Sequence, residues 1–468
     1  MLVGHRQGYI FLFPVIPNGN SVRAPQRKRP QSKGSMSNLH FDFEWQDPAG
    51  ARGEELRATW ASLSILIDGS PVTELQDKQT KAVRHRVFLP LFPLAEWLAD
   101  NWWFLRSEIE RPDAAASCEF DRRHNIRWAR EGYVLPSLRF VRLGSNVEAR
   151  WQPLDIADAR IRFLASGDAI LPDIAFFQTL HEFVSAVVTR LDDMGVPGTT
   201  LHEQWRAIQE ADPDEREFCD AAARLGKDPY AADSQLEAAI LDVSRMIRPE
   251  LLDDFLSLTA VEHLRTQASA LATASESIAS DADNIDALAA VRSRAPSWVL
   301  GTASWETGYR FASALRARLN GSGWKSHSLD ELAGYLSIDQ LGHCLLPETG
   351  ECGFLDALTG SNQRRNPKFL IEKRREDSRQ FAFCRALFEH LTLPRDSFAA
   401  VSRLRTDRQQ MNRAFAAEFL APHEMLKSDL SGAVIGEDEI DDLAVAYGVS
   451  AFVVRHQIEN HRLARVSS

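Results

Sequence analysis

"RQFAFCRALFEHL", residues 379–391, places Phe381, Cys384, Leu387, Phe388 and Leu391 at three- and four-residue spacing, the pattern of a helix with a buried face. Arg385 and Glu389 lie four apart on that same face. A cation among apolar residues must either find a partner there or reach out to water. The fold and the chemistry of the chain are both read from this turn of helix.

Around it lie 468 residues, more than one ordinary core organises, so two or three domains are expected. With 44% hydrophobic and 25% charged residues the composition is that of a globular chain. The most apolar region, "VFLPLFPLAEWLADNWWFL", is broken by Pro90, Pro93, Glu96 and Asp100, so no membrane span is expected. The net charge of −11 argues against a protein that coats nucleic acid along its whole surface. Five scattered cysteines fit a reducing, cytoplasmic setting better than a disulfide framework. His343, Cys344 and Cys352 have no usual zinc spacing and read as ordinary residues.

Residues 1–37 hold six Lys/Arg and no Asp/Glu and read as a basic disordered tail. Met36 is a candidate true start, because patterned sequence follows it directly. Residues 38–170 are strand-rich, with "LHFDFEW", "ASLSILIDG", "HRVFLPL", "NVEARWQP" and one clear helix, "LAEWLADNWWFLRSEI". Trp102 and Trp103 in that helix suit core packing or a partner interface better than a binding platform. Residues 171–297 read as helical. There His181-Glu182 and His202-Glu203 begin like zinc-protease helices but lack the second histidine, and "CDAAARLGKDPY" has the look of a helix-turn-helix bend at Gly226.

From 298 to 468 five pieces follow in order: the helix "SWETGYRFASALRARL", the short helix "SLDELAGYLSI", a small hairpin or sheet in "ECGFLDALTGSNQRRNPKFLIEK", the helix of residues 377–393, and "DRQQMNRAFAAEFLAPHEML" with a closing "DEIDDLAVAYGVSAFVVRHQIENHRL". That order, with "LDELAGYLSI", "RQFAF", "FAAEFLAP" and "LAVAYGVSAFVVRHQI", resembles the ImmA/IrrE family of zinc metallopeptidase-like proteins. The resemblance covers about a third of the chain. The strand-rich and helical stretches together read as an α+β protein; the resemblance implies a zincin-like C-terminal domain, helical with a small sheet, and a bacterial or phage-associated role in stress response, toxin–antitoxin or phage-defence systems.

The family's chemistry needs two histidines at i and i+4 facing one metal, with a glutamate beside the first as general base. Aligned on "FAFC", those positions carry Arg385, Ala386 and Glu389. The third ligand falls near Gln409, with Asp407 as a shifted substitute. A guanidinium cannot ligate a cation and alanine cannot take a proton. Sliding the register to His390 recovers no ligand pair. The expectation is a site that has lost its zinc, with no catalytic residue, no metal and no cofactor. Arg385 and Glu389 then either form an ion pair in the vacated space or reach solvent at the helix edge.

Charge adds a binding expectation. Residues 363–416 carry thirteen Lys/Arg against six Asp/Glu, and Arg374, Arg375, Arg379, Arg385, Arg408 and Arg413 are candidates to hold an acidic protein partner or nucleic acid. The leading reading is a metallopeptidase-like binding or regulatory protein. Its rivals are an active zinc endopeptidase that cleaves a regulator and a DNA-binding regulator that reads through "DDLAVAYGVSAFVVRHQI".

Overall fold

The computed structural model describes residues 37–47, 52–111, 114–129, 132–297, 303–319 and 323–467; the basic tail up to and including Met36 lies outside them. Helix accounts for 51% and strand for 17%, with the strands concentrated toward the N-terminus, which makes the chain α+β. It forms two compact units. One holds Ser35–Ala268 and Leu404–Asp407, the other Ser269–Arg403 and Arg408–Ser468.

In the N-terminal unit, β1 (Leu39–Trp45) pairs antiparallel with β2 (Trp60–Ile67), which pairs in turn with β3 (Val87–Pro90). Phe41 faces Ile65 in that register, so the apolar alternation of "LHFDFEW" lines one face of the sheet. The expected long helix is broken into α1 (Phe92–Asp100) and α2 (Trp102–Ser107). Asn101 leaves helical geometry between them (φ −104°, ψ 12°), and its side-chain amide donates to the Trp97 carbonyl. Residues Ala114–His124 form α3 where no helix is expected. A meander of β4 (Ser137–Leu143), β5 (Asn146–Gln152) and β6 (Gly167–Pro172) follows.

The helical middle begins with α4 (Asp173–Asp193), α5 (Thr200–Glu210), α6 (Pro213–Arg224) and α7 (Ser234–Met246), and continues through helices Pro249–Leu258 and Leu264–Ser280. Asp212 and Asp233 cap α6 and α7 by accepting from backbone N–H groups of the first turn. The expected boundary at residue 170 is not a boundary. The apolar faces of β1 and β2 need cover, and α4 supplies it: the Phe41 and Phe183 rings are 4.6 Å apart, and Phe176, Leu180 and Val184 share one core with the strands. The boundary at 297 is also displaced, since Leu288 and Val291 are fully buried in the core of the C-terminal unit.

That unit begins its main part with α8 (Ser304–Arg318) and α9 (Leu329–Tyr335), the latter capped by Ser328. A four-stranded sheet follows in the order β7 (Leu345–Leu346), β9 (Pro367–Ile371), β8 (Ala357–Ser361), β10 (Ala399–Val401). The expected hairpin is its centre, with Ala357 opposite Ile371, while β7 and β10 are additions. Helix α10 (Glu376–Thr392), the opening stretch, runs against this sheet, and residues 382–389 are buried without a break. It is therefore a central helix closed on all sides, not an amphipathic one.

The remaining helices are α11 (Asp407–Leu420), α12 (His423–Asp429), α13 (Glu437–Tyr447) and α14 (Ala451–Asn460). Helices α8 and α11 cross closely at Gly308, where an added Cβ would lie 2.2 Å from the Met411 carbonyl oxygen. Gly308→Ala is expected to destabilise the C-terminal unit by about 1–3 kcal/mol in urea denaturation, because a rigid backbone must give way. A neutral substitution would mean that the crossing relaxes freely.

Candidate functional site

Helix α10 holds Arg385 and Glu389 one turn apart in the interior, with exposures of 3% and 1%. The reading in which both reach solvent is overturned, because α10 has no solvent edge at this turn. Nor is Glu389 the ion-pair partner of Arg385. The guanidinium donates through Nη1 to Asp356 Oδ2 (2.6 Å), through Nε to Asn412 Oδ1 (2.8 Å), and through Nη2 to Gln409 Oε1 (2.8 Å) and the Ser402 carbonyl (2.6 Å). Glu389 instead accepts from Asn412 Nδ2 (2.6 Å) and pairs with Arg408 (3.1 Å).

Three elements converge to build this network. Asp356 enters from the residue before β8, and Lys373 covers its second oxygen at 2.6 Å. Gln409 and Asn412 project from consecutive turns of α11. Gln409 is locked in place, donating to the Ala400 carbonyl (2.8 Å) while its own oxygen accepts from the Ser402 N–H (3.0 Å). Burial by itself would raise the Asp356 pKa, but Arg385 and Lys373 overcome it and hold the carboxyl below its ordinary value. Burial also lowers the Arg385 pKa, with Asp356 opposing the shift.

Positions 385, 389 and 409, grouped as expected metal-ligand positions in the sequence, meet in a single network. Asn412, which donates to both Glu389 and Gln409, links them. The residues there do not fit a zinc ion. A fixed cation fills the centre, Ala386 has no proton acceptor, and an amide stands at 409. Asp407 is no substitute ligand, since it belongs with the N-terminal unit, where it lies against Gly144 and Asn146. His390 turns instead to Arg292, whose Nη2 lies 2.9 Å from its Nε2.

The candidate binding arginines do not form one open ridge. Arg385 is internal. Arg379 and Arg408 are partly covered and paired with Glu376 and Glu389, and Arg413 donates to the Ser402 carbonyl. Arg374 and Arg375 are exposed, beside Glu348 and Asp377. Arg375 also lines an open groove of about 420 Å³ with His327, Asp441, Val445 and Gly448. Asp281 and Asp283 pair with Lys368, Glu348 with Arg374, and Asp356 with Lys373 and Arg385. These four carboxylates come from outside residues 363–416 and cut the charge excess there from +7 to +3.

The other sequence candidates fall into structural roles. Trp102 and Trp103 are core residues, Trp102 edge-on to Trp205 and Trp103 donating to the Tyr230 hydroxyl. His202 completes the cap of α5 with Thr199. Cys344 and Cys352 are buried, with thiols pushed up to about 12 by burial. Helices α13 and α14 meet at Gly448 in left-handed geometry (φ 62°), as a helix-turn-helix would. Half of α14 is buried, and Arg455 on its other side pairs with Glu437. At Gly226 the bend leads into a short 3₁₀ turn, Pro229–Ala231, before α7.

Sequence reading missed Asp356, Asn412, Lys373 and Ser402, since no local pattern marks a polar residue whose partner is far along the chain. It also missed Glu418, His423 and His461, which bring a carboxylate and two imidazoles together. In comparisons with known proteins the chain matches no family model, no curated protein and no solved structure.

Proposed function

We propose that this chain is a metallopeptidase-like binding protein, in which a buried guanidinium network has replaced a zinc site and which acts by recognition rather than hydrolysis. The supporting observation is the convergence of positions 385, 389 and 409 on one centre filled by a cation of the protein's own. The ImmA/IrrE resemblance gives the setting: a regulatory component of a bacterial stress, toxin–antitoxin or phage-defence system. An acidic protein segment suits the exposed Arg374 and Arg375 better than nucleic acid does, because neighbouring carboxylates already offset much of the local positive charge.

Restoring the family's residues tests this reading. A chain carrying Arg385→His, Ala386→Glu, Glu389→His and Gln409→Glu together is expected to bind one zinc more than its parent, by elemental analysis after dialysis. A folded variant that binds no additional zinc removes the former-site reading. Chelator-sensitive cleavage of a protein substrate by the unsubstituted chain would remove the claim of lost hydrolysis.

A further inference from the structure

Glu418, a residue only 2% exposed, lies in the last turn of helix α11. His423 opens α12 five residues later, and His461 follows the end of α14. Glu418 Oε1 lies 2.7 Å from His423 Nδ1, Oε2 lies 3.8 Å from His461 Nε2, and the three donor atoms are all within 4.8 Å of one another. Gln457 and Ser313 fix the carboxylate: Gln457 Nε2 donates to Oε2 (2.9 Å) and to the Ala421 carbonyl (2.9 Å), and Ser313 Oγ lies 3.3 Å from Oε1.

One atom in this cluster is left over. His461 Nε2 is buried and has no hydrogen-bond partner among the described residues, and 3.8 Å to Glu418 is too long for one. Buried ring nitrogens in native structures are normally satisfied, so an orphan asks for a partner. The two imidazoles are held face to face, 4.2 Å apart and 7° from parallel. Both keep some solvent access, with side-chain exposures of 29% and 18%, which leaves an entry path.

We propose that Glu418, His423 and His461 form a binding site for a zinc-type divalent cation. Two imidazoles and a carboxylate are a borderline ligand set, suited to zinc and its neighbours rather than to calcium or magnesium. Bonds of about 2.0–2.2 Å in a tetrahedral arrangement place ligand atoms roughly 3.4 Å apart, and the distances of 2.7 Å and 3.8 Å lie either side of that. The lone pair of each nitrogen lies in its ring plane, so the stacked rings swing apart to converge on the ion, as their partial exposure permits. The fixed carboxylate gives the ion a preset anchor. A fourth position remains for water, and Glu424, whose Oε1 is 3.3 Å from His423 Nε2, is placed to accept from that outer ring nitrogen and orient the imidazole.

This site is not the former zinc site displaced. Glu418 lies nine residues beyond Gln409 on α11, about 13 Å along the helix axis. A cation there ties the segment after α14 to the junction of α11 and α12, and so fixes the C-terminal end of the unit.

The test is zinc binding by the full chain, stripped with chelator and titrated with zinc chloride against a chromophoric indicator. About one zinc per chain is expected, with affinity at least tenfold weaker in His461→Ala and in His423→Ala. The part-exposed His461 makes His461→Ala a mild change, and circular dichroism of the metal-free variant checks its fold. Absence of binding by the unsubstituted chain, or binding untouched by either histidine substitution, overturns the proposal. Zinc that survives His461→Ala but is lost with Gln409→Ala overturns it and the lost-zinc reading together. Absence of any zinc overturns this proposal alone.

Discussion

Arg385→Met is expected to destabilise the C-terminal unit by about 3–5 kcal/mol, the largest effect of any single substitution in the network. Methionine fills much of the volume, so the loss is not chiefly a cavity. Gln409 Oε1 keeps the Ser402 N–H and the Ser402 carbonyl keeps Arg413, but Asp356 is left with Lys373 and the more distant Arg413 for its charge, and Asn412 Oδ1 loses the Arg385 N–H that it faces. In an interior of low dielectric each such group loses its partner without regaining water. Amide exchange on α10 reads the unit's own stability and is not confused by the N-terminal unit. Arg379→Met, on the same helix but part-exposed and 3.8 Å from Glu376, is expected to cost less than about 1 kcal/mol. Combining Arg385→Met with Asp356→Leu should cost less than the sum of the two, because the second change removes the carboxylate that the first strands. An Arg385→Met chain as stable as its parent would mean that the network carries no net stabilisation.

The course of the fold was legible wherever spacing reports burial directly. "LHFDFEW" is β1, the hairpin around residues 357–371 is β8 and β9, and the opening stretch is a buried helix. The nearness of Arg385, Glu389 and Gln409 was legible, since an alignment on four residues grouped them and they share one hydrogen-bonded network. The partner of Arg385 was not legible. Helical i,i+4 spacing favours a pair with Glu389 on an exposed surface. In a closed interior the guanidinium has several donors to satisfy, and one carboxylate on its own helix cannot meet them, so Asp356 and the α11 amides do. The charge count over 363–416 overstates the local excess for a related reason: a window along the chain cannot see Asp281, Asp283 or Glu348 folded against it. The boundary at 170 failed because a change from strands to helices in sequence is not a change of core.

Stability of the C-terminal unit is expected to fall steeply as the pH drops from about 6.5 to about 4, and histidines rather than carboxylates set that window. Burial lowers the His390 pKa to about 4, with Arg292 adding repulsion, and Asp286 and Arg395 acting in opposite directions more weakly. Burial likewise lowers the His456 pKa to about 4, with Arg455 adding to it. Both fold neutral. In the unfolded chain each takes a proton near 6.5, so below that pH the unfolded state binds more protons and gains ground. Each group contributes a slope of up to about 1.4 kcal/mol per pH unit until the folded pKa is reached, below which the loss levels off. His390 keeps a little solvent access, so its share lies under that bound. His423 works in the other direction: its hydrogen bond to Glu418 raises its pKa, so its contribution is present below about 6.5 and is lost only as the pH rises through the folded value. Asp356, with its pKa held down, weakens the fold only below about 4. His390→Gln keeps an acceptor for Arg292 at 2.9 Å without a titrating ring, and His456→Gln removes the second proton. Denaturant midpoints between pH 4 and 7.5 should show a clearly smaller slope in either variant and a smaller one still in the pair, where His461, whose pKa burial also lowers, supplies the remainder. A steep slope that survives both substitutions would place the acid sensitivity elsewhere.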